Sequence, residues 1–181
     1  EADPKLTAVV SGTIGDDKVT YSLSRAKGEA VGDYVITASG EAEQGNYTVT
    51  YSPGTLTITK NGTLAVTGIS YNNEYDAKVH GTAASVNVTE GTKVSYKVGE
   101  DGKWTEEVPT IKDVGSKEVT VKAENPNYET AEGRYTLTVT PKAVTVTAEN
   151  KSKVYGEADP KLTAVVSGTI GDDKVTYSLS R

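Results

Sequence analysis

The stretch YTLTVT, Tyr135 to Thr140, alternates apolar and polar residues without a break, and AVTVTA, Ala143 to Ala148, does the same a few residues later. A period of two sends successive side chains to opposite faces, so each stretch reads as a strand with one face on a core. The rest of the 181 residues agrees, with 26 Thr, 23 Val and 11 Tyr beside a single Trp and no Phe. β-branched and aromatic side chains suit a pleated, half-buried surface, and the composition predicts strands nearly throughout. Gly15-Asp16-Asp17 and Asp101-Gly102 read as hairpin turns, and Pro53-Gly54 and Asn125-Pro126-Asn127 as turns of the same kind. No segment keeps a helical period. Short strands separated by frequent turns predict an all-β fold of tandem β-sandwich modules. A β-grasp-like module is the alternative, and one long helix crossing the sheet would establish it.

The 25 residues EADPKLTAVVSGTIGDDKVTYSLSR stand at Glu1 to Arg25 and again, unchanged, at Glu157 to Arg181. A fixed offset marks a repeat. Inside it lies a weaker similarity. Val31-Gly32, Asn46-Tyr47 and Leu56-Thr57-Ile58-Thr59 find counterparts in Val114-Gly115, Asn127-Tyr128 and Leu137-Thr138-Val139-Thr140. Two related module types therefore alternate. The expected organisation is a first module at 1–60 without its opening strand, a complete module at 61–142, and the beginning of a further module at 143–181.

A module without its first strand exposes backbone N–H and C=O groups along the neighbouring strand. Ala143 to Gly156 of one chain is expected to pair into the first module of another, head to tail, a contact that propagates. The opposing expectation is that both partial modules are trimmed fragments that pack loosely.

Composition narrows the function. A formal net charge of -6 disfavours nucleic acid, whose phosphates need a basic stripe. No run of about 18 apolar residues could span a bilayer, and no basic-then-apolar start resembles a signal peptide. The chain is thus expected to be soluble, without membrane insertion, and to be an internal piece of something longer. The absence of Cys excludes disulfides, a thiol nucleophile and cysteine-bound metal, and one His makes a His-rich site implausible.

Lys153-Val154-Tyr155-Gly156-Glu157-Ala158-Asp159-Pro160 leads into the duplicated stretch, and Gly28-Glu29-Ala30-Val31-Gly32-Asp33-Tyr34 and Asn46-Tyr47-Thr48-Val49-Thr50-Tyr51 follow its first copy. These residues resemble the MBG domain of the YGX type, a repeat of bacterial cell-surface proteins. The companion module, with Tyr75-Asp76-Ala77 and Asp101-Gly102-Lys103-Trp104-Thr105, looks like the Ig-like repeats that accompany it in large Gram-positive adhesins. Ala77 stands where a Gly is common. The resemblance implies Ig-like sandwiches in an extracellular protein, on the bacterial surface or secreted, and brings no catalytic residues.

Individual side chains give little chemistry. His80 has neither a nucleophile nor an orienting partner in sequence, and reads as a surface or strand residue. Trp104, in a strand returning against Val94 to Val98, is the one possible ligand contact. It could stack on a sugar, though an aromatic there more commonly covers the end of a small core. Asp16-Asp17 and Glu100-Asp101 lack the spaced carboxylates of a calcium loop. Asn46, Asn61, Asn87 and Asn150 each begin an N-x-Ser/Thr triplet, which chance explains in so Asn- and Thr-rich a chain. A Lys–Asn isopeptide crosslink under a buried acid is conceivable, but no trio stands out.

The expected function is structural, a stalk or spacer of a surface adhesin whose partners are adjacent repeats, without catalysis, cofactor or metal. A module binding host glycan, mucin or a surface protein is the alternative.

Overall fold

Strands form here where an alternating segment has a neighbour to pair with, as a computed structural model describing residues 2–181 makes plain. No helix occurs among the described residues, so the crossing helix of the β-grasp alternative is absent from them and the fold is all-β. The chain divides into two compact units. One runs up to Thr63 and includes Asn125–Glu129; the other comprises Leu64–Glu124 and Thr130–Arg181.

In the first unit, β1 (Ser22–Arg25), β2 (Gly32–Ser39) and β5 (Gly54–Ile58) form an antiparallel sheet in the order β1-β2-β5. A small ladder joins β3 (Glu43–Gln44) to β4 (Tyr47–Thr48). Along β2 every second residue, among them Tyr34, Ile36 and Ala38, is half-buried, while Asp33, Val35 and Thr37 are exposed. That alternation is the period of two seen in the sequence. Yet no residue between 2 and 63 is fully buried, so this sheet has one face only partly covered.

The second unit holds the core. A four-stranded sheet runs in the order β10 (Lys93–Val98), β12 (Gly115–Glu124), β13 (Ala131–Thr140), β7 (Tyr71–Glu74). Opposite it lie two short ladders, β6 (Val66–Thr67) with β9 (Ser85–Val86) and β8 (His80–Gly81) with β11 (Thr110–Ile111). Between these layers pack Val119 and Val121 of β12, Tyr135, Leu137 and Val139 of β13, Tyr96 and Ile111, with Val66 and Tyr71 at the margin. Leu137, Val119 and Val121 are fully buried. This is a sandwich-type arrangement, and YTLTVT supplies its central inward face.

One pairing recurs in both units. In the first, Gly32 opposes Ile58, and in the second, Gly115 opposes Val139. These are corresponding residues of the weak internal repeat, so the Val-Gly similarity marks the same register in two sheets. Both glycines sit at positive φ, 151° and 152°, where a side chain is strained although space is open around each.

The duplicated stretch behaves differently in its two copies. Ala164–Ser167 forms β15 and pairs with β14 (Thr145–Ala148), whereas the identical residues 8–11 form no strand. Conversely β1 pairs with β2, while its copy at 178–181 forms no strand. The turns at Asp16-Asp17 and Asp172-Asp173 close in both copies, with Asp17 and Asp173 donating their N–H groups to Ile14 and Ile170. Neither turn joins two strands, contrary to the hairpin expected from Gly15-Asp16-Asp17. Identical sequence with different neighbours gives different structure, because a strand is completed by its ladder and not by propensity alone.

Candidate functional site

A groove of about 520 Å³ lies within the first unit, between residues 7–13 and the sheet. Val10, Leu23, Ile36, Tyr47, Val49 and Tyr51 line it together with Thr7, Ser11, Thr13, Thr48, Thr50 and Ser52, so its wall mixes apolar and polar groups. Residues 13–20, just beyond, are held by side chains in place of a ladder. Gln44 donates through Nε2 to the Thr20 carbonyl at 2.8 Å and accepts the Thr20 N–H at 2.7 Å on Oε1. The Tyr47 hydroxyl accepts the Ile14 N–H at 3.0 Å and donates to Asp17 Oδ2 at 2.6 Å. At the start of the segment, Arg25 grips Asp3, with Nε to Oδ2 at 2.6 Å and Nη2 to Oδ1 at 2.9 Å. Those bonds hold the Asp3 carboxyl below its ordinary value, and Asp3 and Glu29 together push the Arg25 guanidinium upward.

Sequence reading did not single out this groove. Its signal was the apolar run Ala8-Val9-Val10 inside the duplicated stretch. Val9 is 97 % exposed and Val10 44 %, which an alternating strand with a partner would not allow for both.

The residues singled out by sequence lie elsewhere. Trp104 returns against β10 as foreseen, but through the single bridge between Tyr96 and Thr105 and not as a strand. It is 40 % exposed, outside the central core cluster, with the ammonium groups of Lys97 and Lys122 5.6 and 4.9 Å from its ring centre. His80, in β8, stacks on Tyr71 with ring centres 4.5 Å apart and shares a 2.8 Å hydrogen bond with Asp76. That bond, with the Lys78 N–H, lowers the Asp76 carboxyl. The pair orients an imidazole, and the group stacked on it is the Tyr71 ring, which packs face to face against it.

The acidic turns face hydroxyls. Asp17 accepts from Tyr47, and its copy Asp173 pushes the Tyr75 phenol upward by a hydrogen bond. Among the described residues no three acidic or histidine side chains converge as a metal site would require. Glu100-Asp101 sits at the turn after β10, exposed. No Lys, Asp or Glu among the described residues is buried, so the setting for an isopeptide crosslink is not assembled there.

The most developed concavity is therefore this open groove of the first unit, lined by aliphatic, tyrosine and hydroxyl side chains. No curated protein and no solved structure matches the chain. Residues 1–57 and 144–181, more than half of the chain and in sequence before and after the central module, match the MBG domain (YGX type). The chain belongs to the MBG domain (YGX type) family.

Proposed function

We propose that this chain is a segment of the repeat region of a bacterial cell-surface protein, acting as a stalk or spacer in series with further repeats outside the cell. MBG domains are repeat domains of surface proteins, and the duplication of 25 residues fits such an array. In this reading residues 1–60 and 143–181 belong to MBG modules and residues 61–142 to an Ig-like module between them. The chain contributes mechanical continuity and no catalysis.

The observation that carries the proposal is the parallel pairing of β7 with β13. These strands lie toward opposite ends of the central module in sequence. When the two ends are pulled apart, parallel strands slide along each other, and their ladder bonds are loaded together in shear instead of opening one at a time. Leu137 opposes Tyr71 and Thr140 opposes Glu74. The ladder is extended by the Tyr75 N–H donating to Thr140 O at 2.9 Å, and by the Thr136 N–H donating to Ser70 Oγ at 3.1 Å. Lys142 and Glu74 add an exposed ion pair at 3.7 Å.

Single-molecule stretching of the 181-residue chain tests this reading. The central module is expected to yield last, at the highest force, and Tyr75→Pro, which removes one ladder donor, is expected to lower that force. Central-module rupture at or below the force that opens the first unit would refute the mechanical role.

A further inference from the structure

We propose that Asn127 is a coupling residue: through it the turn between β12 and β13 closes the end of the first unit's sheet and ties that sheet's stability to the turn's shape. The bonds that carry this lie inside the first unit, to which Asn125–Glu129 belongs. The Asn127 side chain accepts the Val31 N–H on Oδ1 at 2.9 Å, and its main-chain carbonyl accepts the Asn61 N–H at 3.0 Å. The Glu129 N–H donates back to the Asn61 carbonyl at 2.9 Å, so that Asn61 and Tyr128 face each other as an isolated parallel bridge. Val31 immediately precedes β2, and Asn61 follows shortly after β5. Those two strand ends are neighbours, since Gly32 opposes Ile58. One short turn thus holds the start of β2 and the exit of β5 together.

The turn is ordered before it is used. Asn125 Oδ1 accepts the Asn127 N–H at 3.0 Å, the Asn125 carbonyl accepts the Tyr128 N–H at 3.2 Å, and Pro126 restricts φ between them. Its two stems are β12 and β13, whose ladder runs from Gly115 opposite Val139 to Ala123 opposite Ala131, with Val119, Val121 and Leu137 fully buried along it. A contact made by a pre-ordered segment costs less conformational entropy than the same contact made by a loose one. If the turn loses its shape, Val31 and Asn61 exchange these partners for water. Whatever binds the folded first unit and not its unfolded form stabilises it, and a covalently tethered segment does so at a high effective concentration.

The bonds are of two kinds. Those to Asn61 use only backbone, so any residue at position 127 that keeps the turn's shape keeps them. The bond to Val31 needs an acceptor oxygen on Cγ, which Asn and Asp supply and Ala does not. Val31 belongs to the repeated Val-Gly pair, and Gly32 beside it has a φ of 151°. A bond to the Val31 N–H therefore fixes the backbone where the sheet's special conformation begins. None of this depends on a stalk role, since the contacts involve only Val31, Asn61 and Asn125–Glu129.

Amide hydrogen exchange of the full chain, read residue by residue by NMR, tests the coupling. Asn127→Ala is expected to speed exchange at Val31 and in β2 by about fivefold, the factor that one neutral hydrogen bond is worth, while Asn61 stays protected. Asn127→Asp keeps an acceptor oxygen in the same place and should leave the rates near those of the unaltered chain. Asn125→Ala, which removes the bond that shapes the turn, should speed exchange at Val31 and Asn61 together. The urea midpoint followed by Trp104, which reports the central module, should stay in place for both variants at Asn127. Unchanged exchange at Val31 and in β2 for Asn127→Ala overturns the proposal, and so does an Asn127→Asp chain that exchanges as fast as the Ala variant. Continued protection of Asn61 in Asn125→Ala also overturns it. A Trp104 midpoint that falls as far for Asn127→Ala as for Asn125→Ala does the same, because the side chain would then serve only its own hairpin.

Discussion

Arg25 holds Asp3 across the first unit, and Arg181 holds Asp159 with the same atoms, Nε to Oδ2, at 2.6 and 2.7 Å. These are the same two residues of the duplicated stretch. The pair persists in both copies although the strands around it differ, so the Asp–Arg clasp is local to the stretch and does not depend on a completed sheet.

The clasp gives the first unit a dependence on acid. Asp3 is held below its ordinary value chiefly by hydrogen bonding to Arg25. A carboxyl lowered by folding stabilises the folded form above its unfolded value, near pH 3.9, and the contribution is lost as pH falls through the lowered folded value. Asp76, lowered by His80, adds the same sign in the second unit. Far-UV circular dichroism during acid titration should show the chain loosening below about pH 4. Asp3→Asn should remove the part of this response that belongs to the first unit, and an unchanged acid profile would contradict the assignment.

Core truncation should separate the central sandwich from its surroundings. Leu137 is fully buried between the layers, and Leu137→Ala leaves a cavity expected to cost about 3 kcal/mol. Val9 is almost wholly exposed, and Val9→Ala should change stability by less than about 0.5 kcal/mol. Urea denaturation followed by the single Trp, which lies in the central module, reads the first effect directly. Equal midpoints for the two variants would mean the core is misplaced.

Gly115 opens β12 at a φ of 152°, with no heavy atom near a would-be Cβ. Gly115→Ala should therefore destabilise by about 1 kcal/mol through backbone strain alone. Gly68 tests the opposite mechanism. Its φ is not positive, but a Cβ there would stand 2.3 Å from Tyr135 Cδ1, so Gly68→Ala should act by displacing a core ring. Near-ultraviolet dichroism of the tyrosines distinguishes the two, changing for Gly68→Ala and not for Gly115→Ala.

The strand period, the turn at Asn125-Pro126-Asn127 and the Val-Gly similarity of the two units were legible because each can be read within a short stretch. The Asn125 side chain accepts the Asn127 N–H at 3.0 Å, closing that turn within three residues. Residues 1–25 were legible as a repeat but not as structure. AVVS is a strand beside Ala143 to Ala148 and none at residues 8–11, and no single-stretch propensity distinguishes the two. The groove escaped notice for the same reason, since it is defined by which segments meet. Trp104 stood out as a rare residue, while its two lysine neighbours come from β10 and β12, brought together by pairing that the sequence does not display.

Those lysines set the last prediction. With Lys97 and Lys122 over its ring, Trp104 is an exposed cap on the sheet and not part of the central core cluster. Truncating a core Trp costs about 3 to 5 kcal/mol. A cation–π contact at an exposed site contributes only about 0.5 to 1 kcal/mol. Trp104→Ala, followed by far-UV dichroism because the fluorophore is gone, should lie nearer the smaller value. Lys122→Ala, whose ammonium is the closer at 4.9 Å, should alter Trp104 emission and its accessibility to iodide more than Lys97→Ala does. A loss of several kcal/mol for Trp104→Ala, with emission indifferent to both lysines, would place the indole in the core instead.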